Sequence, residues 1–247
     1  VPRLALITGG SRGIGAATAV LLAGQGWDVC VTYRANADAA AEVVGACRSL
    51  GREAAACRAD VASERDVDDV FRFCDALGSL AALVNNAGIV APKARVDEMD
   101  ATRVERMMAV NVVGPFLCAR EAVRRMSTHH GGSGGVIVNV SSAAARLGSP
   151  GEYVDYAASK GAIDTMTIGL AREVAMEGIR VNAVRPGMID TDIHASGGQP
   201  DRLGRLRSSV PMQRPGTAEE VAEAIAWLCS DAASYVTGAL LDASGGR

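Results

Sequence analysis

Short apolar runs alternate with helix-patterned stretches from one end of this chain to the other, and that alternation leaves few folds open. Runs at 4–8, 28–33, 53–58, 136–140, 179–184 and 239–241 read as strands, and Leu83 and Val84 end another. Between them, 13–25, 37–50, 64–77, 102–126, 155–177 and 218–229 carry helical periodicity, with Gly114 and Pro115 set to bend the long fourth helix. Strands that are apolar throughout must be covered on both faces, and strands separated by helices run parallel. The expected fold is α/β: a doubly wound parallel sheet with helices on both faces and right-handed crossovers.

The 247 residues suffice for one such domain over 1–247, and no linker-like stretch divides them. A net charge of −3 argues against a nucleic-acid partner. No apolar stretch approaches the roughly 20 residues of a membrane span. The chain enters its first strand almost at once, with no signal peptide in view, and its first residue is Val rather than Met, as in a trimmed chain. Six scattered cysteines, without a C-x-x-C pair, read as reduced thiols of a cytoplasmic protein. His129 and His130 begin a Gly-rich solvated loop, and no metal site is expected.

Between the first strand and first helix stand Gly9, Gly10, Ser11, Arg12, Gly13, Ile14 and Gly15. Glycines let the backbone turn sharply, and a helix N-terminus there offers free N–H groups to a pyrophosphate. The end of the second strand then selects the nucleotide. NAD sites place an acid there for the ribose hydroxyls. Here Tyr33 is followed by Arg34, and Arg12 faces it from the loop, so a ribose phosphate is favoured and NADP is the expected cofactor.

Of 25 basic residues only Lys93 and Lys160 are lysines. Lys160 follows Tyr156 by one helical turn, so the two share a face. An ammonium beside a phenol favours phenolate and should lower the tyrosine pKa, making the pair a proton-transfer device.

Taken in order, these motifs resemble the short-chain dehydrogenase/reductase family over essentially the whole chain. They are the glycine loop, Asp60-Val61, Asn85-Asn86-Ala87-Gly88, Asn111, Ser141-Ser142, Tyr156-x-x-x-Lys160 and Pro186-Gly187. The resemblance implies a single Rossmann-like domain and a nicotinamide cofactor with no metal at the reacting carbon. By the same resemblance Asp60 and Val61 lie near the adenine, and Asn86, Ala87 and Gly88 form a turn beside the cofactor. Asn111 helps hold a proton-relay water. Ser142, rather than Ser141, supplies a hydroxyl to the carbonyl oxygen. Tyr156 is the acid/base, and Lys160 also bonds the nicotinamide ribose. Pro186, Gly187, Ile189 and Thr191 run along the nicotinamide. Tyr153, with Ala157 rather than Lys four residues on, is expected at the rim only.

Residues 188–215, rich in Gly, Pro and Arg, are expected to form a substrate flap. The expected activity interconverts a carbonyl and a secondary alcohol, on a small sugar, polyol or ketone. A 3-oxoacyl-carrier-protein reductase meeting its acidic carrier through Arg124, Arg125 and Arg172 is the alternative, and a non-enzymatic NADP-binding sensor is the alternative of another class. The family pairs its long helices between subunits, which implies a homotetramer.

Overall fold

The computed structural model describes residues 3–191, 197–199, 201, 203–204 and 207–247. Seven strands form one parallel sheet: β1 Leu4–Ile7, β2 Asp28–Tyr33, β3 Ala54–Arg58, β4 Leu80–Asn85, β5 Gly135–Val140, β6 Ile179–Pro186 and β7 Leu240–Ala243. Their spatial order is β3-β2-β1-β4-β5-β6-β7. The winding reverses between β1 and β4, and such a switch point opens a crevice at the carboxyl ends of the strands.

Helices α1 (Gly13–Gly24), α2 (Ala37–Ser49) and α8 (Ala218–Cys229) cover one face through Leu22, Val43, Val221 and Ile225. Helices α3 (Glu64–Leu77), α5 (Gly114–Met126) and α7 (Val154–Val174) cover the other through Phe71, Ala122 and Ile163. Local chemistry starts several of them where the sequence provides it. Asn36 and Ser63 cap α2 and α3, and Thr217 with Glu220 forms a capping box on α8.

Three departures from the sequence reading bear on the site. The single helix expected over 102–126 is α4 (Ala101–Met108), a π turn (Ala109–Val113) and α5. Its irregularity begins before Gly114-Pro115. Pro115 has no N–H for the carbonyl four residues back, which is that of Asn111, and the amide of Gly114 bonds Ala109 in π fashion. A short helix α6 (Ala144–Leu147) follows β5 where no element was expected. It is a single turn, too brief for periodicity to show. The expected flap over 188–215 falls in part outside the described residues. Its described portion includes a parallel bridge between Ile189 and Gly216 and a 3₁₀ turn at Arg207–Ser209.

Candidate active site

The crevice holds two cavities, of about 490 and 540 Å³, which share Ile14, Asn86, Gly88 and Thr191 as lining. The loop between β1 and α1 makes the shared wall. Gly9 adopts φ +64°, and a Cβ there would stand 2.9 Å from Ala87 Cα. A Cβ on Gly15 would stand 2.4 Å from the Asn86 amide nitrogen. Only glycine lets this loop lie so close to the end of β4. Asn86 fixes the approach by donating to the carbonyls of Thr8 (2.9 Å) and Gly9 (3.0 Å). Thr8 Oγ1 accepts from the amides of Asn86 and Ala87, both at 3.0 Å, and Thr32 Oγ1 accepts from Gly9 N–H at 3.0 Å. Thr8 and Thr32 were not singled out in the sequence; their only signal is their place at the ends of β1 and β2.

The larger cavity is lined by Gly9, Ser11, Arg12, Gly13, Tyr33, Arg34, Asp60, Val61 and Ala87 among others. Arg12 and Arg34 are exposed. Asp60 Oδ2 pairs with Arg106 at 2.8 Å and with Arg34 at 3.5 Å. Burial works against its charge, but hydrogen bonds from Arg106 and the Ala62 amide, with the guanidinium charges, hold this carboxyl below its ordinary pKa. Arg106, on α4, escaped the sequence reading because nothing in its spacing ties it to Asp60. The cavity thus has three guanidinium groups and one acid already engaged by two of them. It fits a phosphate-bearing dinucleotide end, and the loop glycines fit a pyrophosphate passing the α1 N-terminus.

The smaller cavity joins Ser142, Tyr156 and Lys160, with Pro186, Gly187, Ile189 and Thr191 on its wall. Ser141 hydroxyl is turned inward and donates to Lys160 carbonyl at 3.2 Å, whereas the Ser142 hydroxyl bonds the Tyr156 phenol. Lys160 is buried; its Nζ donates to Val140 carbonyl at 2.8 Å and lies 5.7 Å from the Tyr156 ring centroid. Burial lowers the Lys160 ammonium to about 8, opposed by the charge of Asp164. The Tyr156 phenol is half-buried and reached by the cavity, yet the protein around it pushes its pKa up, and the Ser142 bond offsets this only partly. The direction is therefore opposite to the lowering expected from Lys160: in the chain by itself desolvation dominates, and the ammonium lies over the ring and donates to Val140 carbonyl.

Asn111 lines neither cavity. Its side chain donates to Ile89 carbonyl (2.9 Å), accepts from Ile89 N–H (2.8 Å) and donates to Ser159 Oγ (3.2 Å). It ties the irregular segment after β4 to the π turn and α7. Tyr153 lines the cavity beside Tyr156 and is largely buried; its hydroxyl donates to Gly197 carbonyl at 3.3 Å and accepts from Gln199. Val90, Leu147, Pro150 and Met188 complete an apolar flank beside Tyr156. None of these stood out in the sequence, since apolar residues in loops carry no periodic signal.

A family model described as enoyl-(acyl carrier protein) reductase matches residues 9–247. The uncharacterized oxidoreductase YgfF of Escherichia coli (strain K12) is 58% identical over 245 residues, covering 99% of each chain. The cis-4-hydroxycyclohexanecarboxylate dehydrogenase of Sinomonas cyclohexanicum is 41% identical, covering 99% of this chain and 96% of its own. Among solved structures, a short chain dehydrogenase from Burkholderia cenocepacia J2315 in complex with NADP superposes with TM-score 0.89 at 37% identity, covering 98% of this chain and 96% of the other.

Proposed function

The chain belongs to the short-chain dehydrogenase/reductase family of oxidoreductases, and from that premise we propose that it interconverts a carbonyl and a secondary alcohol using NADP(H). The observation that carries this is the meeting of Ser142, Tyr156 and Lys160 in a cavity continuous with the one that Arg12, Arg34 and Arg106 make cationic. Those three arginines would hold the phosphate of the adenosine ribose. When bound, the nicotinamide donates or accepts the hydride. The chain's own residues handle the proton. Tyr156 donates it to the carbonyl oxygen as charge grows there, and in the reverse direction removes it from the alcohol. Ser142 hydroxyl, already bonded to the phenol, stabilises the same oxygen. Lys160 keeps an ammonium 5.7 Å from the centroid of the phenol ring and so favours phenolate on turnover. The side chain of Asn111 is engaged by Ile89 and Ser159, so a relay water would be held by its backbone carbonyl, to which Pro115 can offer no α-helical N–H.

For the substrate, Val90, Leu147, Pro150 and Met188 give the cavity an apolar wall that suits a ketone or alcohol with an apolar flank, while Ser149, Glu152 and Arg247 leave polar groups on the same lining. The Sinomonas relative's name, a ring alcohol dehydrogenase, points the same way. The carrier-protein alternative draws less support. Arg124 pairs with Glu121 at 2.7 Å, Arg125 pairs with Glu121 and Asp75, and neither lines either of the two cavities of the crevice. Six free cysteines suit the reducing cytoplasm, and no helix among the described residues is long and apolar enough to cross a membrane. Following NADPH absorbance against cyclic ketones, aldoses and acyl thioesters tests the reading. Turnover is expected with cyclic ketones. Turnover of acyl thioesters alone would establish the alternative, and oxidation of no carbonyl would overturn the enzyme reading.

A further inference from the structure

Arg103 on α4 reaches across to the first turn of α7, and three of its bonds converge on the neighbourhood of Tyr156. Its Nε donates to Asp155 Oδ2 at 2.8 Å, Nη2 to Asp155 Oδ1 at 3.3 Å, and Nη1 to Pro92 carbonyl at 2.5 Å. Both side chains are withdrawn from solvent, at 15% and 2% exposure. A buried ion pair contributes little net stability, because desolvating two charges cancels most of their attraction. Its geometry, however, is restrictive: a planar fork on a carboxylate fixes distance and angle together.

The elements joined are those that build the site. Asp155 immediately precedes Tyr156. The segment after β4 that Pro92 belongs to also carries Val90, on the wall of the cavity, and Ala94, whose amide bonds Glu152 carbonyl at 3.1 Å. The other end of α4 runs into the π turn, where Asn111 bonds both Ile89 and Ser159. Ser159 in turn donates to Tyr156 carbonyl at 2.7 Å. Two ties between the same pair of elements therefore bracket Tyr156, one at position 155 and one at 159. The second involves an asparagine that the sequence motif marks. The first involves a pair that nothing in the sequence motif marks.

We propose that Arg103 and Asp155 are positioning residues that hold the Tyr156 phenol and the 89–94 cavity wall in register for proton transfer. The inference rests on the acid/base reading of Tyr156 above. It touches neither nucleotide phosphate nor reacting atoms, so cofactor affinity should be spared while the chemical step suffers. A small displacement of a proton donor is enough to slow turnover heavily.

The test uses the full chain with Arg103→Lys, Asp155→Asn, and the apolar double substitution Arg103→Met with Asp155→Leu, which removes both buried charges together. In each, kcat should fall about tenfold or more while the NADPH Kd stays within about threefold and every molecule still binds cofactor. Amide hydrogen exchange in the cofactor-free protein should quicken in the segments 89–95 and 153–160 together. A kcat within about twofold of wild type in the folded variants would overturn the proposal, as would faster exchange in only one segment. Should a single variant fail to fold, the double variant decides, since its core carries no unpaired charge. Absence of carbonyl turnover in the wild type would instead sink the reading of Tyr156, leaving the exchange result to decide whether the tie exists.

Discussion

Lys160 carries its ammonium in a setting that opposes it. Folding lowers its pKa from 10.5 to about 8, chiefly by burial, with Asp164 pulling the other way. Between those values the unfolded chain holds a proton that the folded chain has lost. The contribution of this residue to stability therefore rises with pH across that window, and its penalty is complete below it. Replacing it by Met removes the effect. The stability of wild type relative to Lys160→Met, read by urea unfolding at several pH values, should improve by up to about 1.4 kcal/mol per pH unit from pH 8 upward. The difference is the quantity to follow, because buried thiols such as Cys118 and Cys229, pushed up to about 12, bend the absolute curve downward above the ordinary thiol range. A difference that stays flat would show the lysine to be solvated. Arg34 makes the second prediction at this scale. Arg34→Asp removes one cation from the phosphate end and sets a new acid near Asp60, which Arg34 now pairs at 3.5 Å. NADPH affinity should fall about tenfold or more, close to 1.4 kcal/mol, while NADH affinity holds or rises. Equal losses for both cofactors, measured by fluorescence titration, would show that Arg34 does not read the phosphate.

At the scale of elements, the loop between β1 and α1 works only because its glycines admit the end of β4. Gly15→Ala should drive the new Cβ into the Asn86 amide and the Gly9 carbonyl, at 2.4 and 2.7 Å. The expected result is an NADPH Kd raised about tenfold or more, together with a lower melting temperature of the cofactor-free chain. An unchanged Kd would mean that the loop does not cradle the nucleotide. Strands and helices with strong periodicity were legible in the sequence: β2 over Asp28–Tyr33, α3 over Glu64–Leu77 and α8 over Ala218–Cys229 lie where the pattern puts them. What escaped was set by contacts rather than pattern. The π turn at Ala109–Val113 interrupts a stretch whose side chains remain helix-like throughout, and only the missing N–H of Pro115 hints at it. Arg106 and Arg103 lie one turn apart on α4, and nothing in their spacing singled them out. Each proves to face an acid distant in sequence, Asp60 or Asp155. The order of motifs could nominate Tyr156 and Ser142, but not the direction of the phenol's pKa, which depends on how much protein surrounds it.

For the whole molecule, the sheet order puts both cavities at one crevice. Val113 and Phe116, at the π turn and the start of α5, are 47% and 53% exposed in the single chain. An apolar pair so placed is a candidate contact surface for the homotetramer that the family resemblance implies. Light scattering at micromolar concentration should give four times the 25.4 kDa chain mass, and a stable monomer would refute this assembly. The claim on which everything else depends is that the chain transfers hydride to a carbonyl with Tyr156 supplying the proton. Single-turnover oxidation of bound NADPH by a cyclic ketone, in wild type and in Tyr156→Phe, addresses it most directly. Full decay of the NADPH absorbance is expected in wild type and, in the variant, unchanged cofactor binding with a rate lower by far more than about tenfold (~1.4 kcal/mol of barrier). A Tyr156→Phe rate within that factor of wild type would contradict that claim.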